Sequence, residues 1–313
     1  MIAERMLDMH SWSKPSNAIM SAGTQAEISR MYLTRRTFLG TCAALAMTPP
    51  RPAFAAKALR VGMTPAFLHT QYGLLANWRE YMATKLERPV EIVQRDSYRE
   101  TMDLLRLEQL DFAWICSYPY VYLRKLLRLV AVPLYLSQPF YRAYLIVSLK
   151  NRHIKNLSQL RGKVFAYADP YSLTGHLVPR YQLRKMGEDP EKFFSKTFFT
   201  YSHNKLIEAV AAGLAQGASV DGYVWDSLNA LKPDITRHTF PVSQSREFGF
   251  PPFVARLGVA EGDFAAVQNM LIAMRQNQQG NSLLQHLNLN GFIHGVPSLY
   301  DEVAEMMRAF GEG

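Results

Sequence analysis

From Leu59 onward, short apolar runs alternate with longer stretches in which apolar side chains recur every three or four residues. Leu59–Met63 reads as a strand, and Leu74, Leu75, Trp78, Tyr81 and Met82 then fall on one face of a helix over 72–86. Residues 90–93 form the next predicted strand, 98–107 repeat the helical period, 110–116 make a buried strand, 120–127 a helix and 129–134 a strand. This alternation predicts a doubly wound α/β lobe. A strand over 141–148 leaves it, and a second series follows: strand 164–167, helix 176–186 closed by Gly187, a segment 196–201, helix 205–214 and strand 220–224. The chain returns over 240–255, past a turn at Pro251-Pro252, and ends in helices over 262–276 and 298–310. Two crossings between lobes predict a hinge with a cleft, with residues 56–144 and 241–313 in lobe 1 and 145–240 in lobe 2.

The first 55 residues follow a different pattern. Thr34-Arg-Arg-Thr-Phe-Leu39, a modest apolar stretch over 38–47 and Ala53-Phe54-Ala55 have the order of a twin-arginine export signal and its cleavage site. A periplasmic chain starting at Ala56 is expected, with translation beginning at Met31 or Met20, because nothing ahead of Met31 has apolar periodicity. Leu39-Gly-Thr-Cys42 does not fit a lipoprotein signal, since Thr41 is large for its position, so Cys42 leaves with the leader. The longest other apolar stretch, 126–136, is interrupted by Arg128 and Pro133 and falls short of the ~18 residues of a membrane helix. No direct membrane insertion is expected.

Charge narrows the partners. Six of the 35 Lys and Arg and three of the 26 Asp and Glu lie in residues 1–55, which leaves a net +6 on the exported chain. That excess favours anions, but basic and acidic residues are interspersed and no aromatic-basic signature of a nucleic-acid-binding sheet is present, so no nucleic-acid partner is expected. With Cys116 alone after export, no internal disulfide can form, and core burial must hold the two lobes.

Candidate chemistry collects at four places. Cys116 ends the apolar run Asp111-Phe-Ala-Trp-Ile-Cys-Ser-Tyr-Pro-Tyr120, where a sheet opens toward a cleft; a cysteine there can equally be a small core residue. Asp169-Pro-Tyr-Ser-Leu-Thr-Gly175 follows a strand and precedes a helix, so Ser172, Thr174 and the amides near Gly175 crowd an unsatisfied helix N-terminus, which serves either an anion or plain capping. His203 stands just ahead of a helix, and a neutral imidazole there can accept a proton from a hydroxylated ligand. Asp226 is either a ligand carboxylate or a helix cap. Among the neighbouring aromatics, Tyr118 and Trp225 are expected as cleft walls.

These segments together resemble the periplasmic phosphonate-, phosphite- and phosphate-binding proteins, a branch of the type II substrate-binding fold. Ser172, Thr174 and Gly175 match their Ser-Thr-Ser-Gly oxyanion loop, with Leu173 in place of a hydroxyl residue. Asn156-Leu-Ser-Gln-Leu-Arg-Gly-Lys163, Ala168-Asp-Pro170 and Leu177-Val-Pro179 match its flanks. Ser202-His203-Asn204 resembles the family's Ser/Gly-His-Asp segment, and 221–226 the segment that supplies a carboxylate. The resemblance therefore implies a two-lobed, non-enzymatic binding protein whose ligand is a small oxyanion or its neutral acid. The resemblance places Ser172, Leu173, Thr174, Gly175, His203 and Asp226 at the ligand; with Cys116, Tyr118 and Trp225 from the residue reading they make the expected site, with no cofactor or metal.

The chain departs from phosphonate binders at Cys116-Ser-Tyr-Pro119, where they carry a Gly-Pro-like sequence, and at Leu173, which removes a donor. Both departures point to a softer, neutral ligand. Arsenite, mainly arsenous acid at neutral pH and thiophilic, is the leading expectation, with arsenic on Cys116 and hydroxyl contacts from Ser172, Thr174 and His203. That pattern resembles the arsenite-sensing branch of the family, which implies a membrane sensor histidine kinase as partner. The alternative is a phosphonate, phosphite or phosphate carrier for an ABC permease. A cysteine-dependent hydrolase is the weakest class, since only His203 has positional support as a base and no third orienting group or Gly-x-Ser-x-Gly elbow is present.

Overall fold

The structure, a computed structural model, describes residues 57–65 and 72–312. The twin-arginine motif, the cleavage site, Met20, Met31 and Cys42 lie outside the described residues.

Lobe 1 begins with β1 (Leu59–Met63), α1 (Tyr72–Leu86), β2 (Val90–Gln94), α2 (Tyr98–Arg106), β3 (Phe112–Trp114), α3 (Ser117–Leu123) and β4 (Leu127–Leu134). β1 lies parallel between β2 and β3 and is buried along most of its length, as a central strand covered by helices must be. α2 starts on a capping box in which Ser97 accepts from the Glu100 amide and Glu100 answers to the Ser97 amide, so two otherwise orphaned donors are satisfied locally.

The chain then passes into β5 (Phe140–Ser148), β6 (Val164–Tyr167), α4 (Val178–Lys185), β7 (Lys196–Phe199), α5 (His203–Ala211), β8 (Gly217–Asp221), α6 (Gly222–Leu231), α7 (Pro233–Thr236) and β9 (Thr239–Gly249). Their sheet runs β7-β6-β8-β5-β9, with β6 parallel to β7 and β8 and β5 antiparallel to β8 and β9. After β9 the chain returns to the first lobe as β10 (Phe253–Arg256), α8 (Glu261–Ile272), α9 (Gln278–His286), β11 (Gly291–Ile293) and α10 (Asp301–Arg308). β10 inserts antiparallel between β3 and β4, which completes the order β11-β4-β10-β3-β1-β2. Two mixed α/β sheets make two lobes, as the alternating pattern predicts.

The crossings differ from the expected boundaries at 144/145 and 240/241. β5 and β9 pair from Phe140 opposite Gly249 to Ser148 opposite Thr239, with register shifts after Arg142 and Leu145, so both strands belong whole to the second sheet. The chain therefore changes lobes over 135–139 and 250–252. There the packing is aromatic: Phe250, fully buried, has the rings of Tyr223, Tyr141 and Tyr135 at 5.0, 5.5 and 6.1 Å. One hydrophobic core runs from lobe 1 through these residues into lobe 2, and a second, smaller one around Phe165, Phe193 and Phe194 fills the far side of lobe 2. Among the described residues no helix is long and apolar enough to cross a membrane.

Candidate functional site

The two sheets present their carboxyl-terminal strand ends to each other, the position where open α/β sheets bind ligands. β3 stops at Trp114, two residues short of the predicted end, because Ile115 donates to the Pro252 carbonyl at 3.1 Å and Cys116 turns to cap α3. From lobe 2, the chain leaving β6 makes the turn 168–172 and a widened helical turn over Leu173–Leu177 before α4.

Cys116 meets that turn directly. Its sulfur accepts from the amides of Tyr118, in its own helix, and Leu173, across the gap, and lies 3.9 Å from the Tyr141 hydroxyl. Burial pushes the thiol up to about 11, so it is a neutral S–H at neutral pH. Ser172 caps the turn by accepting from the Gly175 amide at 3.0 Å. Gly175 itself packs so closely on Ala168, Ser172 and His203 that a β-carbon has no room. Thr174 is fully buried, and its hydroxyl oxygen has no hydrogen-bond partner in the structure. An orphaned buried hydroxyl costs free energy, of order 1–3 kcal/mol, unless something outside the chain satisfies it.

The imidazole of His203 is placed by the backbone. The Asp221 amide donates to Nδ1 at 3.2 Å, which leaves the proton on Nε2, 3.4 Å from the Ser172 hydroxyl. Burial lowers its pKa to about 3, so it stays neutral and serves as a hydrogen-bond donor. Asp221 ends β8 and caps α6, accepting from the Val224 amide at 3.2 Å. Its carboxyl is pushed up to about 7, first by burial and further by the charge of Asp226. Tyr98 and Tyr141, both buried, complete the cluster: Tyr98 hydrogen-bonds the Ser172 side chain, Tyr141 approaches the Cys116 sulfur, and burial raises both phenols well above their ordinary range. Among the described residues, no arginine or lysine is among the charges that shift His203 or Asp221. Backbone amides and hydroxyls, not cations, make this cluster polar.

Of the predicted set, the fold gathers Cys116, Ser172, Leu173, Thr174, Gly175 and His203. It sends three elsewhere. Asp226 accepts the hydroxyls of Tyr135 at 2.6 Å and Tyr144 at 2.8 Å, near the crossing, whereas Asp221 is the carboxylate that lies beside His203. Trp225 donates to Thr239 at 3.0 Å and packs on Tyr144. Tyr118 hydrogen-bonds Glu312 and stands among Tyr122 and Tyr171, on the rim and not in the wall. Tyr98, Tyr141 and Asp221 are the residues that sequence reasoning missed; only Asp221, directly ahead of an apolar run, carried a local signal. Among the described residues, no cluster of three or more His, Cys, Asp or Glu could hold a metal ion.

The profile of a family described as "ABC transporter, phosphonate, periplasmic substrate-binding protein" matches residues 61–300. The chain belongs to that family. As a phosphonate-type periplasmic substrate-binding protein it is a binding protein and not an enzyme, which removes the hydrolase reading. Solved structures share the fold. PhnD1 from Prochlorococcus marinus, in complex with methylphosphonate, is 20% identical with a TM-score of 0.75, over 82% of this chain and 99% of that one. The binding protein of a phosphonate ABC transporter from Pseudomonas aeruginosa is 19% identical with a TM-score of 0.74, over 80% of this chain and 85% of the other. The aliphatic sulphonate binding protein SsuA from Escherichia coli is more distant, 16% identical at a TM-score of 0.55 over 81% and 92% of the two chains.

Proposed function

We propose that the protein closes on a small phosphonate-type oxyacid at the 172–175 turn and presents it to an ABC permease. The observation that carries this reading is the turn itself: amides of a helix start, Ser172 and the partnerless Thr174 hydroxyl are gathered where Cys116 and Tyr98 of lobe 1 meet Leu173 and Ser172, beside Tyr141 of lobe 2. Family membership over 61–300 supports the ligand class. No arginine or lysine is among the charges that shift His203 or Asp221, which favours a singly charged or neutral acid over a full dianion.

A second reading, arsenite sensing beside a membrane histidine kinase, has one observation of its own. The Cys116 sulfur accepts from the Leu173 amide across the gap, while the residue also packs in the larger core. A neutral thiol suits arsenous acid: an As–S bond forms as an As–OH bond breaks, and the thiol proton leaves with the hydroxyl as water. Isothermal titration with methylphosphonate, phosphite, phosphate and arsenite, on the wild type and on Cys116→Ser, separates the two. Tight methylphosphonate or phosphite binding that survives the substitution supports the carrier; arsenite binding lost in Cys116→Ser supports the sensor. No heat with any of the four refutes both.

Export through the twin-arginine route is part of the proposal and rests on Thr34-Arg-Arg-Thr-Phe-Leu39. Replacing Arg35 and Arg36 by Lys keeps the charge and removes the motif. Fractionation should then find the unprocessed chain in the cytoplasm; processed protein in the periplasm would refute this route.

A further inference from the structure

Beyond the ligand cluster, a second set of contacts joins the lobes at the cleft rim, and it is built by the C-terminal segment. α10 packs on α3 in lobe 1, and the residues after it, Ala309 to Glu312, reach across to α4 in lobe 2. There the Phe310 ring lies under two guanidinium groups, Arg180 at 4.4 Å and Arg184 at 5.3 Å. Arg184 also donates to the Ala309 carbonyl, and the Glu312 carboxylate accepts the Tyr118 hydroxyl while standing 4.0 Å from Arg180. Tyr118 and Tyr122 of α3 close the same rim against Tyr171, their ring centroids 5.8 and 6.1 Å from it.

We propose that residues 309–312 are a clasp that holds the two lobes together at the rim whether or not a ligand is bound. The mechanical link is α4. Its leading turn delivers the Leu173 amide to Cys116, and its own first two turns carry Arg180 and Arg184 to Phe310. Pulling α4 toward lobe 1 at the clasp therefore brings the turn to Cys116 as well. A ligand-free protein with the clasp intact already populates the lobes-together state, and that population multiplies the apparent affinity for anything bound between them. The identity of the ligand does not enter.

The test needs no ligand. Amide hydrogen exchange is followed in the unliganded wild type, Phe310→Ala and Glu312→Gln, together with small-angle scattering. Reporter amides are the two that cross the gap, Leu173 toward Cys116 and Tyr98 to the Asp169 carboxylate at 3.1 Å, with the β1 amides as the internal standard. Loss of the stacked ring should speed exchange at both reporters roughly two- to thirtyfold, the range of one cation–π contact, leave β1 unchanged, and enlarge the radius of gyration. Glu312→Gln, which keeps the ring, should move the same amides in the same direction by less. Reporters and scattering that match the wild type in both variants overturn the clasp. So does exchange that rises equally in β1, since it would mark general destabilisation instead of lobe opening.

Discussion

At the scale of single residues, Asp221 and His203 are buried side by side with opposite consequences for pH. His203 has its pKa lowered to about 3 from an ordinary 6.5, so the folded protein refuses a proton that the unfolded chain accepts, and stability falls as pH drops below 6.5. Asp221 has its pKa raised to about 7 from an ordinary 3.8: its contribution is intact below pH 4 and is lost as pH rises through 7, because the folded state must then bury a carboxylate. Asn caps a helix as well as Asp does, so Asp221→Asn removes the charge and keeps the start of α6. Relative to the wild type, the variant should gain stability with rising pH between 4 and 7, by at most about 1.4 kcal/mol per pH unit, and hold a constant advantage above that window. Urea midpoints measured from pH 4 to 8 check this; parallel curves for the two proteins would show that Asp221 does not titrate in the fold.

Between residues and lobes stand the element boundaries, and they decide how much of the site could be foreseen. The strand over 164–167 and the stop of its following helix at Gly187 match the structure, since an apolar run bounded by polar turns and a glycine at φ +77° leave one conformation each. β8 was legible as a strand but not where it ends. Gly222-Tyr-Val-Trp225 continues its apolar run, and four such residues fit a buried strand or the first turn of a buried helix equally well. Reading the strand through Val224 puts the carboxylate at its tip at Asp226, whereas the strand ends at Asp221. At Cys116 the same ambiguity was harmless, because the end of a strand and the cap of the next helix occupy one place in space. The oxyanion turn was legible since its chemistry is contiguous in sequence. Tyr98 and Tyr141 were not: with 16 tyrosines in the chain, only the packing of α2 and β5 against the turn singles them out.

Over the whole molecule, the distribution of the core determines how the lobes unfold. A binding protein that hinges needs two bodies, yet the larger core here is continuous through both crossings, where Phe250 fills the space among Tyr135, Tyr141 and Tyr223. Two bodies that share a core lose their packing together, so a single cooperative transition is expected, with circular dichroism and tryptophan fluorescence giving coincident urea curves. The tryptophans divide usefully, with Trp78 and Trp114 in lobe 1 at 5.4 Å from each other and Trp225 in lobe 2. Phe250→Ala empties the junction while leaving both sheets intact. It should lower stability by about 3–5 kcal/mol, the usual cost of deleting a buried aromatic ring. It should also separate the two probes, because each lobe then keeps only its own side of the core. Coincident curves in the variant with a loss below about 1 kcal/mol would mean that the junction contributes little, and that the lobes are joined elsewhere, by the rim contacts of α4 and the C-terminal segment.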